Sequence, residues 1–322
     1  MVPPGGRLGG VLDTALDLAV VPGYSRVGSW VRRRFWAADA APFLAPVDVV
    51  VTGGGSGLGA ATARRLAELG ARVHLVGRTE RRLDASASEI RHTVPGSVVE
   101  THVCDISDLD AVAAFGTSLA TQVTSLHALV HCAGVMPPSR TESAQGHESA
   151  YATHVLGPTL LTHAVRPLFD AGSRVVFVSS GGMYAVPLTN PDFEYRTGRY
   201  SGTTAYARTK RMQVVMADLL GTRFDGPDDP VVHSMHPGWA ATPGVTDSLP
   251  LFDTVMRPLL RSADEGADTI VWLTASDTPL ATTGGFWHDR AQRPTHYPPW
   301  RRDDPEVRAA LWRDVEAATG IG

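Results

Sequence analysis

Between residues 47 and 70 the chain changes character twice. Val47-Asp48-Val49-Val50-Val51 is a short β-branched apolar run, the pattern of a strand buried on both faces. It leads straight into Thr52-Gly53-Gly54-Gly55-Ser56-Gly57-Leu58-Gly59. Beyond the glycines, Leu58, Ala61, Leu66 and Leu69 recur at helical spacing, with Arg64, Arg65 and Glu68 between them, and Gly70 supplies a stop. Strand, glycine turn and helix start together make an anion site. Backbone N–H groups and the positive helix end face the anion, and the missing Cβ atoms let it come close. A flexible linker would carry neither flanking periodicity.

The rest of the chain repeats this strand-then-helix alternation. Ala71 to Val76 reads as a second strand, Val98 to Val103 as a third and Leu126 to Val130 as a fourth. Arg174 to Val178 and Val231 to Met235 read as the fifth and sixth, and Gly284-Gly285-Phe286-Trp287 as a last strand and turn. Helical stretches lie between them, and Pro305 to Ala318 reads as a closing helix. The pattern predicts an α/β fold, a Rossmann-type doubly wound parallel sheet with right-handed crossovers, in a single domain over 47–322. Ligands of such sheets bind beyond the carboxyl ends of the strands. Those ends carry Gly53, Gly77-Arg78, Cys104-Asp105, Ala133-Gly134, Ser179-Ser180 and Pro237-Gly238. No acidic residue closes the second strand, where one would bond a ribose 2′-hydroxyl. Arg78 stands there and suits a 2′-phosphate, so NADP(H) is expected in preference to NAD(H).

Tyr206 and Lys210 add acid–base chemistry. Four residues apart, they share one helix face. A cation beside a phenol favours the phenolate, which lowers the tyrosine pKa toward neutrality. Such a tyrosine can serve as a general acid or base.

These residues together resemble the short-chain dehydrogenase/reductase family over about Val47 to Phe286. The resemblance rests on Thr52-Gly53-xxx-Gly57-x-Gly59, Asp105, Ala133-Gly134, Ser180, Tyr206-xxx-Lys210 and Pro237-Gly238. Further runs match a subgroup with vertebrate and bacterial members: Val178 to Met183, Ser234 to Ala240, Arg211 to Val215, Asp289-Arg290 and Thr295-His296. The resemblance implies that Thr52, Gly53, Ser56, Gly57, Leu58 and Gly59 cradle a dinucleotide pyrophosphate. Asp105 would bond the adenine, and Ala133-Gly134 would line the ribose. Pro237, Gly238 and Thr242 would contact the nicotinamide. Ser180 would bond the substrate oxygen, Tyr206 would move the proton, and Lys210 would bind the nicotinamide ribose and depress the tyrosine pKa. Ser179 is left as a structural hydrogen bonder.

Two departures from the family stand out. Two asparagines usually precede Ala133-Gly134; here they are His131 and Cys132. An asparagine that helps link the lysine to solvent is replaced by His154, which either continues the proton relay or is a satisfied interior residue. The implied function is NADP(H)-dependent interconversion of a carbonyl and an alcohol on a small apolar molecule. The alternative is a catalytically weakened nucleotide-binding regulatory or scaffold protein. The loop from Gly181 to Tyr200 is long; Met183, Tyr184, Phe193, Tyr195 and Tyr200 either line the substrate or pack that loop onto the body.

A net charge of −4 gives no reason to expect nucleic acid. The two cysteines, Cys104 and Cys132, lack metal-site spacing and fit a reducing cytoplasm. No window is long and apolar enough for a spanning helix. Residues 1–46 read as an N-terminal helical extension. Val11, Leu12, Ala15, Leu16 and Ala19 form one amphipathic helix, broken at Pro22-Gly23. Val27, Trp30, Val31, Arg34 and Phe35 form a second, made basic by Arg32, Arg33 and Arg34. Such a helix suits a peripheral membrane contact, packing on the domain, or a homo-oligomer contact. By family analogy an oligomer would form through the helix bearing Tyr206.

Overall fold

The structure, a computed structural model, describes residues 12–17, 19–36, 44, 46–241, 254, 256–298 and 300–321. Strands β1 (Asp48–Thr52), β2 (Arg72–Gly77), β3 (Val99–Val103), β4 (Ala128–His131), β5 (Arg174–Val178), β6 (Val231–Met235), β7 (Phe286–His288) and β8 (Ala291–Gln292) form one sheet. Its order is β3-β2-β1-β4-β5-β6-β7-β8. Neighbours are parallel as far as β7. Strand order reverses between β1 and β4, the switch point at which such sheets open a crevice.

Alternation along each strand divides the core in two. Val50, Leu129, Val175, Phe177 and Val232 face a cluster with Val112, Leu161, Met212, Met216 and Leu311. Val49, Val51, Val130, Val176 and Met235 face the other way, onto Leu66, Leu83, Ile270 and Leu273. Helices therefore cover both faces of the sheet centre, and this explains why β1, β4 and β5 read as continuous apolar runs. The closing helix, Pro305–Thr319, puts Val307, Leu311, Trp312 and Val315 into the cluster holding Met212, Val215 and Met216 of helix Gly202–Arg223.

The eighth strand was not legible in the sequence. It pairs antiparallel with β7 across the two-residue turn Asp289-Arg290, both at positive φ (49° and 57°). A turn of this kind normally advertises itself with Gly or Asn. Helix Val20–Tyr24 also corrects the expected break, since it runs through Pro22-Gly23. Pro22 falls in the first turn, where its missing N–H forfeits no intrahelical bond. The chain leaves helical geometry before that, at Ala19 (φ −92°, ψ 87°), and again at Ser25 (φ −84°, ψ 174°), which caps helix Arg26–Arg33 by accepting from Val27 N.

The extension is pinned to the body by charge. Arg32, expected on a basic outer face, is 3% exposed. It donates to Asp13 at 2.7 Å and to Asp289 at 2.8 Å. Arg261 donates to both oxygens of Asp289 at 2.6 and 2.8 Å. Arg293 grips both oxygens of Asp13 at 2.7 and 2.8 Å. Asp289 sits in the β7–β8 turn, so the hairpin the sequence hid is the anchor of the extension. Arg33 and Arg34 remain outside, with Trp30 under Arg34. Val11 lies outside the described residues.

Removing one partner of a buried ion pair strands the others. Asp289→Asn should therefore cost about 3–5 kcal/mol of unfolding free energy, read from urea denaturation. A loss below about 1 kcal/mol, the scale of a surface pair, would show the network to be solvated.

Candidate active site

The glycine turn after β1 is shaped as the sequence requires. Gly53 and Gly57 take positive φ (68° and 56°). A Cβ on Gly59 would lie 2.3 Å from the Gly53 carbonyl oxygen, and one on Gly53 would lie 2.9 Å from Ala133 Cα. Thr52 Oγ1 accepts from Cys132 N and Ala133 N, both at 3.1 Å, and so ties the ends of β1 and β4 together. The Ser56 side chain does not cap helix Gly57–Glu68, and the N–H groups of its first turn stay available to a ligand. Leu58 packs beneath, against the second core cluster.

A cleft extends from this turn. Gly53, Gly55, Ser56, Gly77, Arg78 and Arg82 line one side, and Asp105, Ala133, Gly134 and Thr153 the other. Arg78 is exposed at the end of β2. Asp105 Oδ1 is held by Ser107 N at 2.9 Å and Ser107 Oγ at 2.8 Å. A bare backbone cradle at a helix start, a guanidinium at the β2 end and a carboxylate at the β3 end fit a dinucleotide lying across the switch point.

Ser180, Tyr206 and Lys210 meet where β5 ends. The Ser180 hydroxyl lies close enough to the Tyr206 hydroxyl to stabilise its phenolate form. Ser180 Oγ also accepts from Gly182 N at 3.2 Å, which starts the 3₁₀ turn Gly181–Ala185. Lys210 Nζ lies 5.4 Å from the Tyr206 ring centroid, so the two do share a face. Its hydrogen bonds, however, go to Val178 O at 2.8 Å and Gln213 Oε1 at 2.9 Å. Burial pushes the Tyr206 phenol up to about 12, with the Ser180 hydroxyl pulling the other way. Burial also pushes the Lys210 amine down to about 7. The phenol therefore sits above its ordinary value where the sequence led to the expectation of a lower one, with desolvation the largest cause. Ser179 is structural, as expected, its hydroxyl donating to Lys210 O at 2.8 Å.

His154 is buried in the π turn Ala152–Leu156. Its Nε2 accepts from Val135 N at 3.0 Å, so the proton sits on Nδ1, which donates to Thr209 Oγ1 at 2.7 Å. Burial, then the charge of Lys210, holds its pKa well below the usual value. Both nitrogens are taken and the ring stays neutral. It braces the Gly134-Val135 loop against the helix of Tyr206. His131 is a core residue, tilted onto Phe177 and bonded to Thr162 Oγ1 at 2.9 Å. Burial raises the Cys132 thiol to about 12, which disfavours the reactive thiolate.

After β6, Gly238 turns at φ 75° and donates to His236 Nδ1 at 3.2 Å. Thr242 lies outside the described residues. Sequence reasoning missed Gln213, Thr209 and Arg261, which donates to Pro237 O at 3.2 Å. Only their spacing on the helix could have suggested the first two; nothing in the sequence pointed to the third. In the long loop, Met183 and Phe193 are buried. Tyr184 donates to Pro294 O, Tyr195 to Arg199 O and Tyr200 to Glu148 Oε1. The Tyr184 and Tyr200 contacts pack the loop onto the body, and the Tyr195 contact closes it on itself. No cluster able to hold a metal ion occurs among the described residues.

Comparison with known proteins agrees with this geometry. Residues 48–190 match the family model for short chain dehydrogenase. The bovine dehydrogenase/reductase SDR family member 12 is 37% identical over 254 residues, covering 77% of this chain and 78% of that protein. Human retinol dehydrogenase 12 is 31% identical over 245 residues, covering 75% of this chain and 77% of that protein. The crystal structure of an uncharacterized protein from Mycobacterium paratuberculosis superposes with a TM-score of 0.68 at 29% identity, covering 88% of this chain and 97% of that one. The chain belongs to the short-chain dehydrogenase/reductase family of nicotinamide-dependent oxidoreductases.

Proposed function

We propose that this chain interconverts a carbonyl and an alcohol on a small apolar molecule, with NADP(H) as its cofactor. The observation that carries the reading is the meeting of Ser180, Tyr206 and Lys210 at the end of β5, on the same edge of the sheet as the glycine cradle. The nicotinamide supplies or takes the hydride. The residues of this chain do the rest. The Ser180 and Tyr206 hydroxyls hold the substrate oxygen where charge develops. With its phenol near 12, Tyr206 is protonated at neutral pH and serves as the proton donor in reduction. Lys210, anchored on Val178 O with its amine near Gly134, would hold the cofactor ribose. Arg78 and Arg82 at one end of the cleft suit the charge of a 2′-phosphate. A relative named retinol dehydrogenase is in keeping with an apolar alcohol.

Three measurements test this reading. Tyr206→Phe should lower kcat with NADPH and an aromatic aldehyde by about a hundredfold to ten-thousandfold and leave NADPH affinity nearly intact. NADPH binding without turnover by the wild-type chain across a broad aldehyde and ketone panel would favour a nucleotide-binding scaffold. Arg78→Ala should erode the preference for NADPH over NADH by about 10–100-fold, the worth of one charged hydrogen bond. NADPH affinity unchanged in that variant would remove the 2′-phosphate role.

The third concerns Lys210. Its amine is pushed down to about 7, whereas an unfolded lysine titrates near about 10.4. Between those values the unfolded chain binds more protons, so wild-type stability falls as pH drops from about 10 to about 7 and is flat below. Lys210→Met lacks this penalty. Set beside the fixed loss of the Val178 and Gln213 hydrogen bonds, the stability difference between the cofactor-free variant and wild type should move in the variant's favour by about 4 kcal/mol as pH falls across that window, while turnover is lost. Parallel urea curves at both ends of the window would show the amine to be charged in the fold.

A further inference from the structure

The chemistry above uses no residue before β1, yet the extension reaches the loops that carry it. Tyr24, the last residue of helix Val20–Tyr24, is 4% exposed. A Cβ on Gly181, the residue after Ser180, would lie 2.9 Å from Tyr24 Cε2. A Cβ on Gly238 would lie 2.7 Å from Tyr24 O and 2.5 Å from Arg261 Nε. Trp239 N donates to Tyr24 O at 2.8 Å. The Tyr24 ring meets His236 at 4.6 Å, His288 at 5.4 Å and Trp239 at 6.0 Å, each edge-on. Gly181 is thus fitted to the Tyr24 ring, and Gly238 to the Tyr24 carbonyl and the Arg261 guanidinium.

The surroundings of Tyr24 are aromatic. His236 stacks on His288 at 3.8 Å and on Phe286 at 5.6 Å. Because its Nδ1 accepts from Gly238 N, its Nε2 carries the proton, and that buried N–H has no hydrogen-bond partner. Burial keeps this imidazole neutral. The result is a sealed cluster of rings behind the loops that follow β5 and β6, with the Tyr24 edge as the part of it that reaches Gly181 beside Ser180. A substrate whose oxygen sits on Ser180 and Tyr206 must leave the centre between those same loops.

We infer that Tyr24 of the N-terminal extension forms a wall of the substrate cleft and sets how bulky an aromatic or apolar carbonyl the site admits. This inference rests on the oxidoreductase reading above. The extension is a specificity element, latched in place by Arg32, Arg261 and Asp289.

The test compares benzaldehyde with naphthaldehyde on the full chain with NADPH. Tyr24→Ala should raise the ratio of kcat/KM for naphthaldehyde to that for benzaldehyde by roughly tenfold, the scale of opened pocket space, at unchanged NADPH affinity. Should Tyr24→Ala fail to fold, Tyr24→Leu keeps apolar packing and should shift the ratio the same way by a smaller factor. An unchanged ratio in a variant with wild-type melting behaviour overturns the inference. Wild-type protein that binds NADPH but reduces neither aldehyde defeats the reaction instead. The wall is then decided by calorimetric titration of benzyl alcohol and naphthalenemethanol into protein saturated with NADP+. A selective gain for the larger alcohol in the variant supports it, and equal ratios overturn it.

Discussion

A pair of reciprocal hydrogen bonds fixes helix Gly202–Arg223 to the sheet. Lys210 Nζ donates to Val178 O, the last residue of β5, and Ser179 Oγ donates back to Lys210 O, both at 2.8 Å. The two bonds set the depth of the helix and its rotation about its own axis. One turn earlier, Tyr206 is thereby brought to Ser180. Burying an amine this deeply is unfavourable, and its depressed pKa measures that. The site accepts the cost because an apolar residue at 210 would satisfy neither the β5 carbonyl nor the Gln213 side chain.

What was legible in the sequence follows from what is local. Strands buried on both faces announce themselves by composition, and helices by their period, so the six successive parallel strands came with the alternation. The glycine cradle was legible because positive φ and close backbone approach demand glycine at Gly53, Gly57 and Gly59. The face shared by Tyr206 and Lys210 was legible too. The partner of the lysine was not, because a four-carbon stem reaches many acceptors and the sheet backbone competes with the phenol. The β7–β8 turn was hidden because Asp289 and Arg290 hold left-handed conformations without being Gly or Asn. Their strain is compensated by tertiary charge pairs, which no local pattern encodes.

The departures from the family pattern resolve into two kinds. His131 points into the core and meets Thr162 and Phe177, so that change is a repacking away from the cofactor loop. His154 keeps a site position but changes its work. An asparagine amide has both a donor and an acceptor, and a neutral imidazole has the same pair on a rigid ring. Here the acceptor takes Val135 N and the donor gives to Thr209, whose hydroxyl in turn donates to Ala205 O and Tyr206 O. The chain of bonds joins the cofactor loop to the backbone of the acid–base tyrosine. Its geometry is that of a strut, with the proton fixed on Nδ1.

The extension and the turn after β6 are positioned by one residue. Arg261 donates to Gly23 O, Ser25 O and Pro237 O, each at 3.2 Å, and grips Asp289 with its remaining capacity. A planar guanidinium with its donors in a fixed fork cannot serve these acceptors if any of them moves far. Asp289 in turn holds Arg32, which carries Asp13 from the preceding helical residues 12–17. A buried network of this kind contributes less to stability than to selecting one arrangement over its competitors, since any displaced member is left as an unpaired buried charge. The extension therefore docks in a single register, and that register places the backbone of Tyr24 on Trp239 and its ring on Gly181. Precision at the substrate end of the site is set by ionic contacts that lie outside it.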